Sequence, residues 1–171
     1  MRFVKGLHAG RALTSPGGRV RPTPEEVRDR SLELVRTEVD GGRVLDLFAG
    51  SGAVGLEALS RGARSVDFVE NGAEALHSLK ANVAALRVGK KTRIFKKDVL
   101  PWIQKLDAGA YAVAYVDAPY GSRKLDRVLE QWDRVPFADV LVVEHEKGHE
   151  IGRKGKHYDF EGPSRVTILR V

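Results

Sequence analysis

Short runs rich in β-branched and apolar residues recur along this chain, and stretches with apolar residues three and four apart fill the gaps between them. That alternation constrains the fold more than any other feature. Residues 43–48, 65–70, 92–97, 111–117 and 139–144 read as strands. Over 71–88, Ala75, Leu76, Leu79, Val83 and Leu86 make one apolar helical face, and Asn71 with Glu74 predicts a capping box at its start. Thr23-Pro24-Glu25-Glu26 predicts a second capped helix with proline at its first position, and Val27, Leu34 and Val35 supply its apolar face. Strands that alternate with helices require a mostly parallel sheet covered on both sides.

The tail breaks the pattern. Residues 156–160 and 165–171, separated by Glu161-Gly162-Pro163-Ser164, predict two antiparallel strands. The expected fold is therefore α/β: a Rossmann-like, seven-stranded, mostly parallel sheet with an antiparallel C-terminal hairpin. Gly6, Gly10 and Pro16-Gly17-Gly18 punctuate the start of the chain and predict an N-terminal β-hairpin extension. At 171 residues the chain is expected to be a single domain, with the extension over 1–21 and the core over 22–171.

Composition removes several function classes. Cysteine is absent, which excludes disulfides, thiolate metal sites and cysteine nucleophiles. The five histidines are scattered, and none of His8, His145, His149 and His157 pairs with another at metal-ligand spacing on an evident helix, so no metal is expected. No apolar run approaches the ~20 residues of a membrane span, and the basic start lacks a signal-peptide core, so a cytoplasmic location without membrane contact is expected. The net charge of +6 favours a polyanionic partner through phosphate contacts. Basic residues gather in the first thirty positions, including Lys5, Arg11 and Arg21, and again at Arg153-Lys154-Gly155-Lys156-His157.

The most informative stretch is Asp46-Leu47-Phe48-Ala49-Gly50-Ser51-Gly52-Ala53-Val54-Gly55, which joins the first strand to a helix. Gly50, Gly52 and Gly55 satisfy the dinucleotide fingerprint, and Glu70 follows at the next strand's end, where an acid would accept ribose hydroxyls. Two ligands compete for such a turn. A nicotinamide dinucleotide would bring its pyrophosphate close to Asp46, which repels it; S-adenosylmethionine would bring a cationic amino group and a sulfonium, which Asp46 attracts. Asp98, followed by Val99 after the third strand, offers a further carboxylate at the same edge, as a helix cap or as an acceptor for the adenine amine.

The fourth strand runs into Asp117-Ala118-Pro119-Tyr120. Pro119 biases Ala118 towards an extended conformation. The Asp117 carboxylate and the Ala118 carbonyl then present two acceptors to one NH₂ group, while Tyr120 stacks on the base that carries it. An exocyclic amine is a poor nucleophile, and two acceptors on its hydrogens orient and enrich its lone pair for direct displacement.

These segments resemble the cofactor and catalytic motifs of the amino-methyltransferases: LDLFAGSGAVGLEALSRGA over 45–63, VE at Val69-Glu70, and DAPY at 117–120. GRALTSPGGRVRPTPEEVRDR over 10–30 and VEH at 143–145 resemble one bacterial branch, the RsmD family. The resemblance implies S-adenosylmethionine-dependent methyl transfer to the N2 amine of a guanine in 16S ribosomal RNA, free or within the assembling small subunit, by a monomer. It implies that Asp46, Phe48, Ala49, Gly50, Ser51 and Gly52 hold the cofactor's amino-acid part, that Glu70 and Asn71 take the ribose, and that Asp98 and Val99 flank the adenine. Asp117, Ala118, Pro119 and Tyr120 would hold the target base, with Arg21 and Thr23 beside it and Lys5 and Arg11 on the RNA. Ala118 stands where the family commonly has proline. Other readings of the same residues are methylation of a DNA adenine or a protein glutamine, an NAD-dependent oxidoreductase, and a nucleic-acid-binding module that keeps the fold without catalysis.

Overall fold

A computed structural model describes residues 1–17 and 22–171. Seven strands form one sheet: β1 (Arg43–Leu47), β2 (Ser65–Glu70), β3 (Thr92–Lys96), β4 (Tyr111–Val116), β5 (Ala138–Glu146), β6 (Lys156–Asp159) and β7 (Ser164–Arg170). Their order is β3-β2-β1-β4-β5-β7-β6. The first five are parallel, and β7 pairs antiparallel with both β5 and β6. The chain winds outward from β1 to the β3 edge and then returns to lay β4 on the other side of β1. A sheet that reverses direction this way opens a crevice beyond the strand ends, between β1 and β4.

The helices are α1 (Glu25–Leu34), α2 (Arg36–Val39), α3 (Ala53–Ser60), α4 (Ala73–Leu86), α5 (Val99–Ile103) and α6 (Lys124–Arg134). The two-residue period of the strands divides the core between the two faces. On β4, Val113 and Tyr115 face α1, α3 and α4, packing with Leu32, Leu56 and Leu79. Ala114 and Val116 face α5 and α6, packing with Ile103, Val128 and Trp132. The Trp132 indole N–H donates to the Ala138 carbonyl (2.8 Å), which ties α6 to the start of β5.

The N-terminal extension is a hairpin only in outline. One antiparallel bridge joins Arg2 to Ala12, and residues between them fold into turns. It does not extend the sheet. Phe3 and Leu13 are instead buried in the layer of α1, α3 and α4, and the backbone N–H groups of Val4 and Lys5 bond to Glu57 on α3.

Both expected helix caps are absent. Gly72, not Asn71, precedes α4, with no side-chain cap, because Glu70 Oε2 already accepts the N–H groups of Asn71 (2.8 Å) and Gly72 (2.9 Å). Pro24 takes the cap position of α1, and the Thr23 hydroxyl turns instead to Asp117 Oδ2 (3.3 Å). The buried face of α1 also differs from the expected one: Arg28 and Ser31 lie inward with Val27 and Leu32, while Leu34 is only partly buried. Arg28 is admitted because Glu57 lies beside it, Nε to Oε2 3.3 Å, with both side chains fully enclosed.

Candidate active site

The turn after β1 is built from alternating left-handed residues, Phe48 (φ 57°), Gly50 (φ 58°) and Gly52 (φ 81°). The two glycines serve different ends. A Cβ on Gly50 would meet nothing within 4 Å, so there glycine answers the backbone angle alone. A Cβ on Gly52 would stand 2.3 Å from Leu79 Cδ1, so this glycine lets α3 pack against α4. Phe48 adopts a conformation that costs a non-glycine residue about 1–2 kcal/mol, and its ring lines the cleft that follows.

Three donors of this turn are engaged within the chain. Gly50 N–H donates to Glu70 Oε1 (2.9 Å), Gly52 N–H to the Ala49 carbonyl (2.9 Å), and Gly55 N–H, in the first turn of α3, to Asp46 Oδ2 (2.9 Å). A pyrophosphate needs such N–H groups free at a helix start. Here a carboxylate of the chain itself occupies that position, which argues against a dinucleotide. Asp46 is buried, and burial, with the nearby Glu70 adding to it and the Gly55 N–H opposing it, pushes its pKa up to about 8.

Beyond the strand ends lies a cleft of about 450 Å³. Four carboxylates line it: Asp46 in β1, Glu70 ending β2, Asp117 just after β4 and Glu144 in β5. These strands are consecutive in the sheet, β2-β1-β4-β5, so the acids stand in a row along one edge. Lys124 is the one cation among the lining residues described. The cleft therefore favours a positively charged occupant. Ala49, Gly50, Ser51 and Asn71 line its β1–β2 end, and Thr23, Ala118, Pro119 and Tyr120 its β4–β5 end.

Tyr120 is half-buried rather than exposed, and its hydroxyl lies 3.1 Å from Ser164 Oγ on β7. Ser164 in turn reaches Glu144 Oε1 at 3.5 Å, and the buried Tyr115 hydroxyl donates to Glu144 Oε2 (3.1 Å). Burial, reinforced by the Glu144 and Asp117 carboxylates, holds the Tyr115 hydroxyl protonated well above the usual phenol range. Tyr115 was not singled out from the sequence, and Glu144, though part of the VEH motif, was given no role there. The available signal for Glu144 was a lone acid closing an apolar strand, VLVVE.

Not every expected residue reaches the cleft. Gly52 packs behind the turn. Asp98 is exposed at the start of α5, makes no capping bond and does not line the cleft, and Val99 is buried in the α5–α6 layer. Asp98 lies one strand further out than Glu70, because β3 is the neighbour of β2 at the edge of the sheet. Lys5 is paired with Asp29 (3.1 Å) and Glu33 (3.3 Å) on α1, and Arg11 donates to the Ala85 carbonyl (3.2 Å). Arg21 lies outside the described residues. Among the described residues, no group of three His, Asp or Glu side chains is arranged to hold a metal, and no helix is long and apolar enough to cross a membrane.

The sheet order, the antiparallel closing strand and a crevice lined by acids at the strand ends define the class: the Rossmann-like α/β fold of the methyltransferases. The particular family follows from comparison. Residues 1–160 match the family described as Conserved hypothetical protein 95, and the chain belongs to it, the RsmD family. The chain is 33% identical to YlbH of Bacillus subtilis, over 88% of this chain and 85% of that protein. It is 30% identical to ribosomal RNA small subunit methyltransferase D of Escherichia coli K12, over 75% of this chain and 65% of that one. Among solved structures, a hypothetical protein of Thermus thermophilus superposes with a TM-score of 0.84 at 29% identity, covering 100% of this chain and 99% of its own. An RNA methyltransferase of Salinibacter ruber, in complex with S-adenosyl-L-homocysteine, shares the fold at a TM-score of 0.68 and 20% identity, covering 88% and 93%.

Proposed function

We propose that this chain methylates the N2 amine of a guanine in 16S ribosomal RNA. The observation that carries the proposal is the acid-lined cleft, with a carboxylate and a proline turn at one end and the glycine turn at the other. Bound S-adenosylmethionine supplies an electrophilic methyl group on a sulfonium. Asp46 and the row of acids fit the positive charges of that donor, and Glu70 retains acceptor capacity for ribose hydroxyls beside its three backbone donors. Asn71, which lines the same end of the cleft, would flank the ribose.

At the other end Asp117 Oδ2, steadied by Thr23, and the Ala118 carbonyl accept the two amine hydrogens. Tyr120, tethered through Ser164, provides the face against which the base lies. As the nitrogen gains the methyl group it must shed one proton, and Asp117 is placed to receive it. A relative named for the small-subunit ribosomal RNA supports that substrate class. Nucleoside mass mapping of 16S ribosomal RNA after incubation with the protein and labelled S-adenosylmethionine tests the reading. One N2-methylguanosine per RNA is expected; label appearing in adenine, or in protein alone, would overturn it.

The charge state of Asp46 adds a pH dependence. The protonated form, favoured below about pH 8, attracts a cation less than the carboxylate does, so a cationic ligand binds with release of that proton. Affinity for S-adenosylhomocysteine, which retains the ammonium group, should rise with pH and level off above about 8, by up to about tenfold per unit on the rising limb. Isothermal titration of wild type and Asp46→Asn checks this: the variant should lose the slope, and a flat wild-type profile contradicts the assignment.

A further inference from the structure

Residues 75–97 hold seven Lys and Arg and not one Asp or Glu. Their charge exceeds the +6 of the whole chain, so the remaining residues sum to −1. The segment spans α4, the 3-10 turn Gly89–Lys91 and β3, which together make one end of the molecule beside the sheet edge. All seven cations are exposed. Arg93 pairs with Asp67 (2.7 Å). Lys80, Arg87, Lys90, Lys91, Lys96 and Lys97 form no ion pair with any described residue.

Three of them, Lys80, Arg87 and Lys90, rim an open depression of about 510 Å³ whose floor includes Val83, Ala84 and Ile94. Among the described residues, no carboxylate lines it. Cations around an apolar floor suit a chain that presents phosphates and sugar or base faces together. The face is also joined to the cleft. Arg11 bonds to Ala85 in the last turn of α4, Thr14 exchanges two hydrogen bonds with Asn82 (2.8 and 2.9 Å), and the same segment brings Pro16 to the cleft wall. At the strand ends, Lys96 lies in register with Glu70 of the cleft.

We propose that this face, from Lys80 on α4 to Lys97 after β3, docks the phosphate backbone of the substrate RNA. The proposal rests on the reading of the protein as an RNA methyltransferase, and it moves the main RNA grip away from Lys5, whose charge Asp29 and Glu33 already balance. Lysines on an edge strand also discourage sheet-to-sheet pairing, so the test uses cations outside β3.

The experiment compares wild type with Lys80→Gln/Lys90→Gln/Lys91→Gln and with a control, Lys105→Gln/Arg127→Gln/Arg134→Gln, which removes three exposed cations from the α5–α6 side. Filter binding of a 16S ribosomal RNA transcript between about 50 and 200 mM salt gives the slope of log affinity against log salt. Each lost phosphate contact lowers that slope by about 0.7–0.9, so the first variant should lose about two units and the control close to none. Unchanged binding of S-adenosylhomocysteine shows that the variants are folded. A wild-type slope in the first variant, or an equal loss in the control, overturns the proposal. If wild type methylates the transcript while the first variant keeps its slope, this inference alone falls. If wild type neither methylates nor binds the transcript, the functional reading falls and takes this inference with it.

Discussion

Replacing Asp117 with Ala should lower methyl transfer by about 10²–10⁴-fold while binding of S-adenosylhomocysteine stays near that of wild type. Asp117 sits at the end of the cleft away from the glycine turn, where its Oδ2 accepts from the Thr23 hydroxyl at the long distance of 3.3 Å. Its removal takes away an acceptor for the amine and the base for its departing proton. It leaves intact the Asp46, Glu70 and Gly50 contacts at the other end. Asp117→Asn keeps one acceptor oxygen but cannot take the proton, and should fall between the two. Single-turnover rates with a 16S ribosomal RNA transcript measure this. An Asp117→Ala rate within threefold of wild type removes Asp117 from the reaction.

The second large effect concerns stability. Glu57 on α3 is fully buried and accepts from the Val4 N–H (3.1 Å), the Lys5 N–H (2.8 Å) and Arg61 Nη2 (2.9 Å), and it is the anion facing the equally buried Arg28. Arg28 also donates to the Arg2 carbonyl, and its Nη1 has no hydrogen-bond partner among the described residues. Glu57→Ala would strand the guanidinium in an enclosed site and release the N-terminal segment from α3. Breaking a buried pair on one side costs about 3–5 kcal/mol. Urea unfolding should show that loss as a lower midpoint with little change in slope. A cost below about 1 kcal/mol, no more than that of an exposed pair, would mean that Arg28 finds another anion or reaches solvent.

Much of the architecture was legible because it rests on period. The strand over 65–70 has the same bounds in sequence and structure, and most others differ by one or two residues at their ends. At its far end β5 continues through His145 and Glu146, polar residues that no apolar pattern would include, because β7 supplies them with backbone partners. Caps were misjudged for a related reason. Asn71 and Thr23 have the right chemistry, but Glu70 and Asp117, adjacent or distant in the chain, compete for the same groups. Local rules cannot weigh such competitors.

The site was half legible. Asp46, Glu70 and Asp117 stand out because each closes or interrupts an apolar strand next to a turn. Glu144 does too, but a single acid at a strand end ordinarily faces water, and only the sheet order sets it beside Asp117. Asp98 obeys the same rule, just after β3, one strand further out than Glu70. Arg28 and Glu57 are separated by 29 positions, and each alone reads as a solvated helix charge. The basic face escaped notice because its cations are spread over a helix, a turn and a strand, whereas shorter clusters near the termini catch the eye.

The two oxygens of Glu70 pin Gly50 on one side and Asn71 and Gly72 on the other, so the loops after β1 and β2 are stitched together by a single side chain. At this end of the cleft one side chain sets the spacing of two loops, so selection of an occupant there rests on outline and polarity.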